Sequence, residues 1–133
     1  MWNNDLNWLA IIVGGLIPMV VGALWYTVLF GKQWQAIVGI SDEAAKAGSG
    51  KAMGFSILMS MILSFVMAQF VGAFGLTRIA DAAQLGFWFW LGFSLTTNGM
   101  NNAYEQKPLK LLMINQLYAL IIFIAVAILH SQW

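Results

Sequence analysis

Four long apolar runs, separated by short polar breaks, organise the chain. They cover residues 6–30, 52–77, 82–104 and 109–129. A helix rises about 1.5 Å per residue, so roughly 20 apolar residues cross a hydrocarbon core of about 30 Å. Every run is long enough. The one charged residue inside them is Lys110, at an end where its amine can reach the interface. A chain in lipid has to satisfy its own backbone hydrogen bonds, which leaves helices and closed barrels. The period-two alternation of barrel strands is absent. The pattern predicts an all-α integral membrane four-helix bundle, a single transmembrane domain over residues 1–133.

The breaks are unequal. Residues 78–81 and 105–108 form tight turns, so the second, third and fourth helices are consecutive antiparallel hairpins. The first loop, 31–51, is longer. Its 32–40 stretch mixes Trp34, Ile37 and Val38 with Lys32, Gln33 and Gln35, which suits a short helix lying in the membrane interface. Ser41 then reads as an N-cap, followed by Asp42 and Glu43 where a helix dipole favours acids. Gly48-Ser49-Gly50 reads as a flexible joint that ends this piece. The first residues lack a basic region and a small-residue cleavage pattern, so the first run is expected to be retained as a span. No internal repeat is visible.

Composition removes the soluble alternative. The chain is 61% hydrophobic and 8% charged, against about 45–50% and 25% for an average domain. Too few polar residues remain to cover a water-facing surface. A net charge of +1 gives no nucleic-acid footprint. The lack of Cys excludes disulfides and thiolate chemistry. Charge also sets orientation. Lys32, Lys46, Lys51, Lys107 and Lys110 fall on one side, whereas Arg78, Asp5, Asp81, His130 and both chain ends fall on the other. The positive-inside rule places the first and third loops in the cytoplasm of a bacterial inner membrane, with the termini outside. Trp2, Trp8, Phe87-Trp88-Phe89-Trp90 and Trp133 would then mark the outer interface, and Trp25, Tyr26, Trp34 and Tyr104 the inner one.

Two patterns are candidates for function. On the second helix Ala52, Ser56, Ser60, Ser64, Ala68 and Gly72 recur at every fourth position. Small residues at that spacing let helices approach closely in lipid, within or between subunits, or line a pore. The second pattern is a polar layer. Asn98, Asn101, Asn102 and Glu105 share one helix face. Beyond the turn at Pro108, Asn115 and Gln116 reach a similar depth, roughly 10 Å in, with Tyr26 in the same half. Amides in hydrocarbon need partners. They serve either as interhelical glue, worth about 0.6–2 kcal/mol per bond, or as a site for a polar solute, an ion or a proton relay. Glu105 either pairs with Lys107 or Lys110 at the interface or turns inward as a proton-linked group. Pro18, with Gly14-Gly15, can kink the first helix and expose carbonyls. His130 has no Asp or second His beside it in sequence and reads as an interfacial residue. No nucleotide, zinc or nucleophile motif is present, so no enzyme activity, metal or cofactor is expected.

The stretch Trp25-Tyr26-Thr27-Val28-Leu29-Phe30-Gly31-Lys32-Gln33-Trp34 and the Glu105-x-Lys107…Ile114-Asn115-x-x-Tyr118 pattern resemble the domain-of-unknown-function family 1761, small bacterial membrane proteins. The resemblance covers nearly the whole chain, with Leu109 standing where an aromatic is expected. It implies a four-span fold and brings no activity, substrate or cofactor. It draws attention to Trp25, Tyr26, Lys32, Trp34, Glu105, Asn115 and Tyr118 near the inner face. The expected function is a homo-oligomeric channel or transporter for a small polar solute or ion, using the polar layer. The alternative is a non-transporting accessory or structural subunit with other membrane polypeptides as partners.

Overall fold

A computed structural model describes residues 4–133. Trp2, assigned above to the outer aromatic belt, lies outside the described residues. Helices α1 (Trp8–Ala23), α2 (Gly31–Val38), α3 (Asp42–Ala73), α4 (Ile79–Phe89), α5 (Thr96–Tyr104) and α6 (Leu109–Gln132) make up the fold, with no strand among the described residues. Two wide π-helical segments interrupt the regular geometry. Leu24–Leu29 continues α1, and Trp90–Leu95 joins α4 to α5 into one rod.

The caps explain the helix ends. The Asn7 side chain accepts the Ala10 N–H at 3.0 Å and starts α1. Ser41 accepts the Ala44 N–H at 3.1 Å and starts α3, with Asp42 and Glu43 in its first turn. At the other end of α3, Gly75 takes a left-handed backbone. There the Leu76 N–H returns to the Val71 carbonyl at 3.0 Å and the Gly75 N–H to that of Gly72. This paired closure stops the helix at Ala73, four residues before the expected end.

The predicted short helix in the first loop is present as α2, closed by Gly39 at φ 75°. The joint at Gly48-Ser49-Gly50 is not. From Ser41 a single helix of 32 residues runs through it, roughly 48 Å long. Once a helix is nucleated, extending it through Gly costs only about 1 kcal/mol per residue, and no Pro intervenes.

Three helices are long and apolar enough to cross a membrane: Trp8–Leu29, Asp42–Ala73 and Leu109–Gln132. The α4–α5 rod, expected as the third span, falls short of that apolar standard. Its second half is the amide-rich Thr96–Tyr104.

Helix α6 is the centre of the bundle and packs on α1, α3 and α4, while α1 also packs along α3. Met67, Val71, Ala82, Val126 and Ala127 form a core among α3, α4 and α6. Small residues set the close crossings. A Cβ on Gly86 would lie 2.6 Å from the Phe123 carbonyl oxygen and 2.8 Å from the Ile124 Cα. On the other side Gly14 abuts the Ser64 hydroxyl. The small-residue stripe is thereby divided. Ser60, Ser64 and Ala68 are buried, whereas Ala52, Ser56 and Gly72 are exposed. Where α3 and α4 face each other they leave an apolar groove of about 420 Å³ between Met59, Ile62, Phe70, Phe89 and Phe93, with Phe123 at its base.

Candidate functional site

The polar layer assembles around the first third of α6, and the two π segments build it. A π turn withdraws N–H groups from the usual carbonyls, which then need other donors. Hydroxyls one turn on supply them: Thr27 donates to the Ala23 carbonyl, Thr96 to that of Gly92, and Thr97 to that of Phe93. The Asn98 amide does the same for Ser94 at 2.8 Å.

The wide turns also aim two indoles at α6. The Trp25 Nε1–H donates to the Ile114 carbonyl at 2.9 Å. From the opposite side the Trp90 Nε1–H donates to the Gln116 carbonyl at 2.8 Å. Side chains reinforce both contacts. The Tyr26 hydroxyl donates to Asn115 Oδ1 at 2.8 Å, and Ser94 donates to Gln116 Oε1 at 3.0 Å. Helix α6 is thus held from both flanks over three consecutive residues. Trp90, assigned to the outer belt, turns inward instead, because the π turn rotates it toward α6.

Asn98, Asn102, Glu105, Lys107, Asn115 and Gln116 line one cavity of about 90 Å³ between α5 and α6. Asn101 does not join them. At about 100° per residue it lies roughly 100° around the helix from Asn102. Tyr26 is not at this cavity either and reaches it only through Asn115. Glu105 lies at the rim with its carboxylate 2.7 Å from the Lys107 ammonium, both about half exposed. This is the interfacial ion pair of the first alternative, not an inward-turned acid. Asn102 closes the turn by donating to the Lys107 carbonyl at 3.0 Å.

Two further cavities lie along the bundle. One of about 250 Å³ sits between α1, α3 and α6, lined by Ser56, Ser60, Tyr118 and Pro18 among apolar neighbours. The Tyr118 hydroxyl donates to the Pro18 carbonyl at 2.9 Å. The other cavity, of about 110 Å³, lies at the opposite end from Glu105 between Asp5, Asn7, Gly72, His130 and Trp133. Here His130 is not a plain interfacial residue. Its Nε2 lies 2.9 Å from the hydroxyl of Ser64, which is fully buried. Sequence spacing gives no hint of this pair, because its members stand 66 residues apart. Among the described residues no group of three or more metal-ligating side chains occurs.

The profile of a family described as "Protein of unknown function (DUF1761)" matches residues 9–131. The chain belongs to the DUF1761 family. Comparison with curated proteins and with solved structures finds no match. The DUF1761 profile spans both π segments, the amide cavity and the Ser64–His130 pair.

Proposed function

We propose that this DUF1761 protein is a four-span protein of the bacterial inner membrane that moves a small polar solute or ion. The observation that carries the reading is the amide-lined cavity between α5 and α6. Its volume is well above the roughly 10–15 Å³ that one water requires. Asn98 and Asn102 each donate an amide N–H to a backbone carbonyl, and both line the cavity beside Glu105. Polar groups placed at such depth are costly unless they serve a site or a pairing. The α4–α5 rod crosses as the third span in this reading. The lysine-bearing loops face the cytoplasm. A second copy of the chain is expected to cover the apolar groove between α3 and α4, giving a homo-oligomer.

The test is flux into liposomes carrying the purified protein. Glu105→Gln and Asn98→Leu are expected to reduce uptake of small cations and neutral amides, while Asn101→Leu leaves it unchanged. Equal flux through all three variants would remove the cavity from the path. The second reading, a non-transporting accessory or structural subunit, draws support from the same groove, which a different polypeptide could fill. Native mass spectrometry of gently extracted membranes separates the two. A closed homo-oligomer favours transport, and a complex with other chains favours the accessory role.

A further inference from the structure

Side-chain amides and one ion pair supply the polar lining of the cavity between α5 and α6, and their hydrogen bonds sort its two walls. On the α5 wall Asn98 and Asn102 each give an amide N–H to a backbone carbonyl, at 2.8 and 3.0 Å. A carbonyl can only accept, so the nitrogen end of each amide is fixed, and the oxygen keeps its capacity to accept. The α6 wall is sorted the other way. Asn115 Oδ1 accepts from the Tyr26 hydroxyl, and Gln116 Oε1 accepts from that of Ser94. The N–H groups of these two amides keep their capacity to donate. Among the described residues no enclosed side-chain nitrogen or oxygen lacks a partner, so the unused ends are the accessible ones. Gln116 is 5% exposed, and the cavity it lines is where that exposure falls. The cavity thus lies between a wall of acceptors and a wall of donors.

We propose that the cavity takes a small uncharged amide of the urea or acetamide class. Its carbonyl accepts from Asn115 and Gln116, and its N–H groups donate to the oxygens of Asn98 and Asn102. This rests on the transport reading above and names the substrate class. Charge decides against an ion. The lining holds one acid and one base, and the Glu105 carboxylate is spent on the Lys107 ammonium 2.7 Å away. A hard cation takes about six or more oxygen ligands and would collect them here beside a lysine. An anion would meet Glu105. Hydrogen-bond polarity decides against a polyol. A hydroxyl both donates and accepts, so sorted walls give it no advantage, whereas an amide keeps donor and acceptor on separate atoms. Size fits as well. A cavity of about 150 Å³ holds a six-carbon ring, so roughly four heavy atoms fill one of about 90 Å³.

The experiment reconstitutes the full chain in liposomes and follows swelling by stopped-flow light scattering as urea, acetamide or glycerol enters, with a trapped dye reporting potassium. The wild type is expected to pass urea and acetamide well above the rate of protein-free vesicles, and glycerol and potassium at that rate. Asn115→Asp and Gln116→Glu keep the oxygens that Tyr26 and Ser94 hold and exchange the N–H donors for an acceptor. Each should slow urea entry at least about tenfold, the scale of a lost hydrogen bond. Size exclusion checks that each variant folds, and if the buried Gln116→Glu does not, the half-buried Asn115→Asp decides alone. Urea entry at the wild-type rate through the folded variants overturns the proposal. Glycerol or potassium entering as fast as urea defeats the amide class and leaves transport standing. A wild type that passes no solute faster than protein-free vesicles defeats both.

Discussion

Gln106 holds a left-handed backbone at φ 55° in the turn after α5. The Lys107 N–H returns to the Asn102 carbonyl at 3.0 Å and the Gln106 N–H to that of Ala103, the same closure that Gly75 makes after α3. A side chain in that conformation costs about 1–2 kcal/mol relative to Gly. Gln106→Gly should therefore stabilise the protein by about 1 kcal/mol, visible as a higher midpoint in thermal unfolding in detergent. Gly86 works in the opposite sense. Backbone atoms of α6 occupy the space of a Cβ, so Gly86→Ala should lower stability by about 1–3 kcal/mol. A midpoint unchanged within error would show that α6 moves aside freely. At this scale the sequence is legible where chemistry is local. Ser41 as a cap and the 105–108 turn follow from residue type and spacing. The Ser64–His130 pair does not, because it depends on which faces of distant helices meet.

The π segments act as braces on α6. Removing an indole N–H deprives an α6 carbonyl of its second donor, so Trp25→Phe and Trp90→Phe should each cost about 0.5–1.5 kcal/mol in chemical unfolding. The two carbonyls stand two residues apart on one helix, and the double variant is expected to deviate from additivity. Strict additivity would mean that the braces act independently. A different weakness lies in α3. Gly48, Gly50 and Gly54 meet nothing within 4 Å, and residues 46–59 are exposed throughout. Hydrogen exchange should be fast over 43–54 and slow over 60–71. Equal protection along the helix would show that another surface covers its first half. Hydropathy located all four rods, yet it could not reveal the wide turns. A π turn leaves no period within a uniformly apolar run. The continuation of α3 through three glycines was hidden for a related reason, since propensity is a weak prior once a helix is anchored at both ends.

The whole molecule depends on α6, and the α4–α5 rod depends on it most. The chain lacks Cys, so single introduced thiols report sidedness without background. Arg78→Cys and Gln106→Cys bracket the rod. In intact cells a membrane-impermeant reagent should label the first and spare the second. Labelling of both from one side would mean that the rod does not cross. The bundle outline was readable because lipid imposes length and hydropathy on any span. The openness between α3 and α4 was not, because apolar side chains look alike whether they meet a helix or a lipid tail.

This dependence has a consequence for biogenesis. When α1 and α3 emerge from the ribosome they can already pair with each other. The next segment is poorer in apolar residues, carries a string of amides, and finds almost all of its contacts on a helix not yet synthesised. On the four-span reading it is expected to enter the bilayer together with α6 as a preformed hairpin, not stepwise. A nascent chain halted before Leu109 would leave that segment at the membrane surface, available to quality-control proteases until the last helix arrives.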